Sequence, residues 1–192
     1  MRTAKHTDPV WQVKWAPLDA AKALSFYSIS SDGRVTNWNL MKNKLEAEEV
    51  IKLKLVNDSE KELSENKKEA FMFGLAGGMC FDFNKFNESL FIVGTEEGKI
   101  HLCSKAYSGQ YLETYEGHYL AVYAVKWNTY HPRVFISCSA DWTIKMWDKN
   151  IPRPIKSFDL GCAIGDIEWA PYSSTVFAAV TSAGSLYVWD LN

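Results

Sequence analysis

The sequence predicts an all-β fold built from four consecutive four-stranded units. Three observations predict it. Tryptophan is unusually frequent, with eight residues in a chain of 192. The tryptophans fall in a repeating frame. Short β-rich runs fill that frame, each too short for a stable helix.

The frame starts at Trp15, Phe83, Trp127 and Trp169, in steps of 68, 44 and 42 residues. The last two steps match the period of roughly 40–45 residues of a four-stranded propeller blade, and the first carries an insertion of about 25 residues. A second set, Trp38, Cys103, Trp147 and Trp189, follows the starts by 23, 20, 20 and 20 residues. Five residues before each member of this set stand Gly33, Gly98, Trp142 and Gly184. Three of the four are glycines, which suit a tight turn between strands because glycine accepts positive φ. His6 and His118 each precede a frame tryptophan by nine residues.

Each unit then reads as strands in order. The first strands end at the frame starts, as in Val13-Lys14-Trp15, Val125-Lys126-Trp127 and Ile167-Glu168-Trp169. The second strands are Ser25–Ile29, Leu90–Val93, Val134–Ser137 and Thr175–Val180, rich in β-branched and aromatic residues. Arg34–Trp38, Thr143–Trp147 and Ser185–Trp189 alternate apolar and polar residues, as a half-buried third strand does. Fourth strands are expected at Val50–Leu55, Gln110–Tyr115 and Pro154–Phe158. The blades therefore span about 6–56, 70–115, 116–158 and 159–192 of a single segment, 1–192, and the last lacks its outer strand. The charged insertion 57–69 is expected to be a solvated loop.

Composition limits the function. Twenty-one basic against 23 acidic residues give a net charge of −2, which argues against general nucleic-acid binding. No apolar stretch approaches the roughly 18 residues of a membrane span, and the first residues show no secretory pattern. The four cysteines, Cys80, Cys103, Cys138 and Cys162, form no C-x-x-C pair and read as reduced cytoplasmic thiols, mostly small core residues. His6, His101, His118 and His131 are scattered, without ligand spacing. Gly77-Gly78 lacks the Lys-Ser/Thr of a phosphate loop. No cofactor, metal, membrane or small-molecule substrate is expected.

Gly117-His118 followed by Ser137–Asp148 resembles a WD repeat almost position for position, and Trp189-Asp190 closes the fourth unit in the same way. Trp38-Asn39 and Cys103-Ser104 depart from the Trp-Asp ending, and Gly74 and Leu160 replace the histidine in the second and fourth units. The runs Lys5–Trp15, Val93–Ile100, Ser137–Trp147 and Trp169–Val180 resemble the propeller of axonemal dynein intermediate chains, most of all the outer-arm type. The resemblance implies a non-catalytic scaffold in the axoneme of a cilium or flagellum. It would bind dynein heavy chain and assemble with other intermediate and light chains. Light chains would use a separate N-terminal extension, so their binding is not expected of these residues. The alternative is a generic WD-repeat interaction module of a non-ciliary complex.

His118, Ser137 and Asp141 supply the residue types of a nucleophilic triad. The frame repeats them as His6, Ser28 and Asp32, and an enzyme seldom duplicates its nucleophile in each repeat. With Trp38 and Trp147 they read instead as hydrogen-bonded networks inside blades, the use the WD resemblance implies. The better functional lead is aromatic. Trp11 and Tyr123 stand five residues after the two histidines, and Trp142 occupies a turn position that favours glycine. All three are candidate partner-binding residues. Since four blades close a ring only with difficulty, an apolar blade face should stay open. A piece of a longer chain, a two-chain ring and a small assembly subunit are all compatible; the repeat boundaries favour the first.

Overall fold

The computed structural model describes residues 5–17, 24–42, 44–55, 74–107 and 109–192. The expected loop 57–69 lies outside them. Among the described residues the chain is all β, with fifteen strands in four antiparallel sheets.

Blade 1 holds β1 (Val10–Trp15), β2 (Ser25–Ser30), β3 (Arg34–Met41) and β4 (Lys44–Lys52). Blade 2 holds β5 (Gly78–Phe83), β6 (Leu90–Thr95), β7 (Ile100–Ser104) and β8 (Glu113–Tyr115). Blade 3 holds β9 (Val122–Trp127), β10 (Val134–Ser139), β11 (Thr143–Asp148) and β12 (Lys156–Asp159). Blade 4 holds β13 (Ile164–Trp169), β14 (Val176–Thr181) and β15 (Leu186–Asp190). Within each sheet, strand order follows chain order.

The register explains the tryptophan frame. Trp127 pairs with Phe135, and Phe135 with Trp147, so the frame residues are cross-strand neighbours on one face. Trp15–Phe26–Trp38 and Trp169–Phe177–Trp189 repeat the triplet, and Phe83–Phe91–Cys103 is its reduced form. The rings use the geometry aromatic pairs prefer. Phe135 stacks on Trp147 at 5.9 Å, and Phe177 on Trp189 at 5.0 Å. A spacing near 20 residues is thus two strands plus the two turns that join them, measured between rings on either side of a central aromatic.

The outer strands differ from expectation at their ends. β4 begins at Lys44, well before the expected Val50, because its charged residues lie on an edge strand with exposed side chains. Such a strand needs no apolar alternation to announce itself. β8 and β12 are shorter and sit slightly later than the runs Gln110–Tyr115 and Pro154–Phe158.

The core lies between blades, not within one. Tyr27, Ile29 and Val35 of blade 1 pack against Phe81, Phe83 and Phe91 of blade 2. Ile92 and Ile100 of blade 2 meet Val125, Trp127 and Phe135 of blade 3. Ile136, Cys138 and Ile144 of blade 3 meet Ile167, Trp169 and Phe177 of blade 4. Blades 2 and 3 bury both faces between neighbours and blades 1 and 4 bury one, as stacked repeats do. The series is open at both ends. Val13 and Trp15 of blade 1 are more than half exposed, as are Leu186 and Val188 of blade 4. Of their frame equivalents in blade 3, Val125, Trp127 and Ile144 are buried and Met146 is half-buried.

Candidate functional site

The triad-like residues come together in blade 3. His118 precedes β9, Ser137 lies on β10, Asp141 in the β10–β11 turn and Trp147 on β11. His118 Nδ1 is 2.8 Å from Asp141 Oδ2, and Nε2 is 2.7 Å from Ser137 Oγ. The Trp147 indole N–H donates to the same Oγ at 2.8 Å. The Asp141 carboxylate can only accept, so Nδ1 carries the proton of the neutral ring and donates to it. Nε2 is then an acceptor, and the Ser137 hydroxyl donates to it while accepting the indole N–H.

Burial pushes the His118 imidazole below its ordinary pKa, against the pull of Asp141. The pair at neutral pH is therefore a hydrogen bond from a neutral ring and not an ion pair. Burial would raise the Asp141 carboxyl, but hydrogen bonds from His118 and Thr143 outweigh it and hold the group well below the usual range. Ser137 is fully buried, and its oxygen is committed to both partners. A nucleophile must reach a substrate carbon; this hydroxyl faces only the inside of a blade.

Blade 1 carries the same arrangement. His6 Nδ1 is 3.0 Å from Asp32 Oδ2, His6 Nε2 is 2.7 Å from Ser28 Oγ, and the Trp38 indole donates to that oxygen at 2.8 Å. Burial opposes the Asp32 charge, but bonds from Arg34, Thr7 and His6 hold its pKa at about 2. In blades 2 and 4 the serine's frame positions are Val93 and Ala179, so the network cannot form there. Blade 2 instead buries His101, stacked on Tyr111 at 3.8 Å, with its Nδ1 3.0 Å from Thr114 Oγ1.

A second constellation joins the blades. The residue before each frame start is Lys14, Asp82, Lys126 and Glu168, alternating in sign along the four innermost strands. Lys14 Nζ is 2.8 Å from Asp82 Oδ1, and Asp82 Oδ2 accepts the Trp127 backbone N–H at 2.8 Å. One buried carboxylate thus ties blade 2 to both neighbours. Lys126 pairs with Glu168 across the next interface. Burial works against the Lys126 charge, but Glu168 outweighs it and raises its pKa. Sequence reasoning missed this ladder. Its signal was available: four residues at one fixed offset from the frame.

The candidate partner-binding aromatics lie at one end of the blade array. That end holds the turns between second and third strands and the segments entering each first strand. Trp11 and Tyr123 each sit at the bulge that opens the first strand, where pairing slips by one residue. Both are exposed, and the Trp11 indole donates to Ser31 Oγ at 2.6 Å. Trp142 occupies the β10–β11 turn at φ +72°, where Gly33, Gly98 and Gly184 hold φ values of +74°, +88° and +80° in the other blades. Its ring is 53% exposed, so it does not fill the space between blades. Tyr119 and Leu120, which the sequence reading passed over, flank the same turn and are exposed at 86% and 52%.

Among the described residues no group of His, Cys, Asp and Glu side chains could hold a metal ion. No described helix is long and apolar enough to cross a membrane.

Comparison with known proteins fits this geometry. A family model described as WD domain, G-beta repeat matches residues 109–148, which cover most of blade 3. The chain is 55% identical over its whole length to dynein intermediate chain 2, ciliary, of Heliocidaris crassispina, and spans 27% of that protein. It is 49% identical, again along its whole length, to the 78 kDa intermediate chain of the flagellar outer-arm dynein of Chlamydomonas reinhardtii, spanning 28% of it. Dynein axonemal intermediate chain 1 of Bos taurus is 51% identical over 192 residues, of which the chain again spans 27%. The chain therefore covers just over a quarter of the length of these curated relatives.

Proposed function

Since the chain is a WD-repeat blade array similar along its whole length to axonemal dynein intermediate chains, we propose that it serves as a non-catalytic scaffold of an axonemal dynein, holding a heavy chain through its blades. The observation that carries this reading is the extent of the similarity. It runs through all four blades, at about half identity, and not through one generic repeat. The relatives are ciliary, flagellar and axonemal by name, and the chain is assigned with them to the axonemal cytoskeleton.

The mechanism is positional. Cross-strand aromatic contacts fix each sheet, and buried histidine networks add to them in blades 1 and 3. Ion pairs join blade 1 to 2 and blade 3 to 4, and the Asp82 carboxylate binds the Trp127 backbone N–H to join blade 2 to 3. A stiff array results, which presents its loops at constant spacing and needs little ordering when a partner docks. The non-catalytic assignment is supported by the burial of Ser137 and by the repetition of its network in blade 1.

The test is a pull-down from ciliary extract with the folded 192-residue chain as bait, read by mass spectrometry. Recovery of dynein heavy chain is the expected result. A folded bait that leaves heavy chain behind, while capturing subunits of another complex, would replace this reading with the generic interaction module.

A further inference from the structure

Trp142 is anomalous in a way that folding does not explain. A bulky residue at positive φ is an uncommon, strained conformation, and glycine holds the equivalent turn in the other three blades. Strain of this kind is tolerated when a buried side chain returns packing energy. Here the ring is 53% exposed. The turn would be easier to form with glycine.

Its surroundings extend the anomaly. The segment Tyr119–Leu120 lies beside the turn: the Tyr119 backbone N–H bonds to Asp141, and the Ala140 N–H to the Ala121 carbonyl. Both side chains point into solvent, Tyr119 at 86% exposure. On one side of this apolar ridge stands the acidic turn Glu96-Glu97. The glycine after it, Gly98, packs so closely on the ridge that an added Cβ would lie 3.0 Å from the Leu120 carbonyl. On the other side stands Asp159, which pairs with Thr143 directly after Trp142. Glu96, Glu97 and Asp159 are exposed and form no ion pair among the described residues. Lys99, the nearest base in sequence to the acidic turn, pairs with Glu116 at 3.1 Å.

We propose that this end of blade 3 is the docking site for an amphipathic segment of the partner, one that lays apolar side chains against Trp142, Tyr119 and Leu120 and sets lysines or arginines toward Glu96, Glu97 and Asp159. The inference rests on the scaffold reading above and locates its contact. An exposed apolar ridge with carboxylates on two sides matches a segment that is apolar in its centre and basic at its margins. Aromatic anchors of this kind carry most of the binding energy in an interface, while rim charges set its salt dependence.

The test uses the same heavy-chain pull-down with three baits: the unaltered chain, Trp142→Gly and Glu96→Lys. Trp142→Gly places the favoured residue in the turn, so its melting temperature should hold or rise. Heavy-chain recovery should nevertheless fall about ten-fold or more. Glu96→Lys should weaken recovery several-fold, and added salt should weaken binding to the unaltered chain. Undiminished recovery on Trp142→Gly would overturn the site while leaving the scaffold reading intact. Loss on Trp142→Gly with no effect of salt or of Glu96→Lys would overturn the basic character of the partner. Failure of the unaltered chain to recover heavy chain would overturn the scaffold reading itself.

Discussion

Lys14 and Asp82, 68 residues apart in sequence, join blade 1 to blade 2 through a 2.8 Å contact. The relationship matters because Asp82 does not stop there. Its second oxygen accepts the backbone N–H of Trp127, and the side chain is buried. One carboxylate on an inner strand therefore holds three successive blades.

Asp82→Ala should be among the most destabilising single changes in the chain. It leaves the Lys14 ammonium without its partner and a buried backbone N–H without an acceptor. The expected loss is about 3 kcal/mol, the order seen when one side of a buried charged hydrogen-bond network is removed. Asp82→Asn keeps an acceptor and should cost less. Urea unfolding of both variants measures this; equal, small losses would mean that the blades are held by apolar packing alone.

His118→Ala should lower stability by about 1–3 kcal/mol, since it leaves Asp141 and Ser137 without the ring that links them. The same change should spare the array's connectivity, because His118 bonds only within blade 3. Thermal melts give the first quantity. A fluorophosphonate probe checks the chemistry: Ser137, buried and bonded twice, should stay unlabelled in the folded chain, and labelling lost in His118→Ala would restore a nucleophilic role.

Acid should weaken the fold in two stages. Burial, with help from Lys99, pushes His101 down to about 3, and His118 is lowered in the same direction. Between the unfolded imidazole value of roughly 6.5 and those lowered values, the unfolded chain binds more protons than the folded one. Stability should therefore fall as pH drops from about 6.5. The depressed carboxyls Asp32 and Asp141 add stability above roughly pH 4 that disappears as pH falls through their folded values, about 2 for Asp32. Urea midpoints across pH 7 to 4 test the first stage. His101→Phe, which keeps the ring on Tyr111, should flatten that slope; an unchanged slope would exclude His101 as its source.

The turn glycines should divide by their surroundings. Gly98 and Gly184 share positive φ, at +88° and +80°. An alanine Cβ at 98 would lie 2.6 Å from the His118 carbonyl oxygen, whereas at 184 it would meet open space. Gly184→Ala should cost about 1 kcal/mol from backbone strain alone, and Gly98→Ala about 3 kcal/mol or more from strain plus the clash. Paired melting curves decide it, and equal losses would contradict the close seating of blade 2 on blade 3.

The sequence was most legible where packing is repeated. Trp127 and Trp147 flank Phe135 across three strands, so one structural contact writes a spacing of 20 residues that recurs in blades 2, 3 and 4 and lengthens to 23 in blade 1. Charged outer strands wrote nothing comparable, and the start of β4 at Lys44 was lost for that reason. The histidine networks could be read because two blades repeat them. The inner-strand ladder was harder: its members differ in residue type and share only their offset and alternating charge. Trp142 was visible as an oddity in a glycine position. That its ring faces solvent beside Tyr119 and two acidic flanks needed coordinates, because those flanks come from blade 2 and from the far edge of blade 3.

On assembly with heavy chain, the end of the array carrying Trp142 should be covered. Hydroxyl-radical footprinting tests it most directly, comparing the isolated chain with the chain bound to dynein heavy chain. Tyr119 and Tyr172 are similarly exposed in the structure, at 86% and 81%, and Tyr172 lies in the loop between the first and second strands of blade 4, at the opposite end of the array. Binding should protect Trp142 and Tyr119 from oxidation while Tyr172 is modified as before. Equal oxidation of Trp142 in both states, or protection of Tyr172 alone, would contradict coverage of that end.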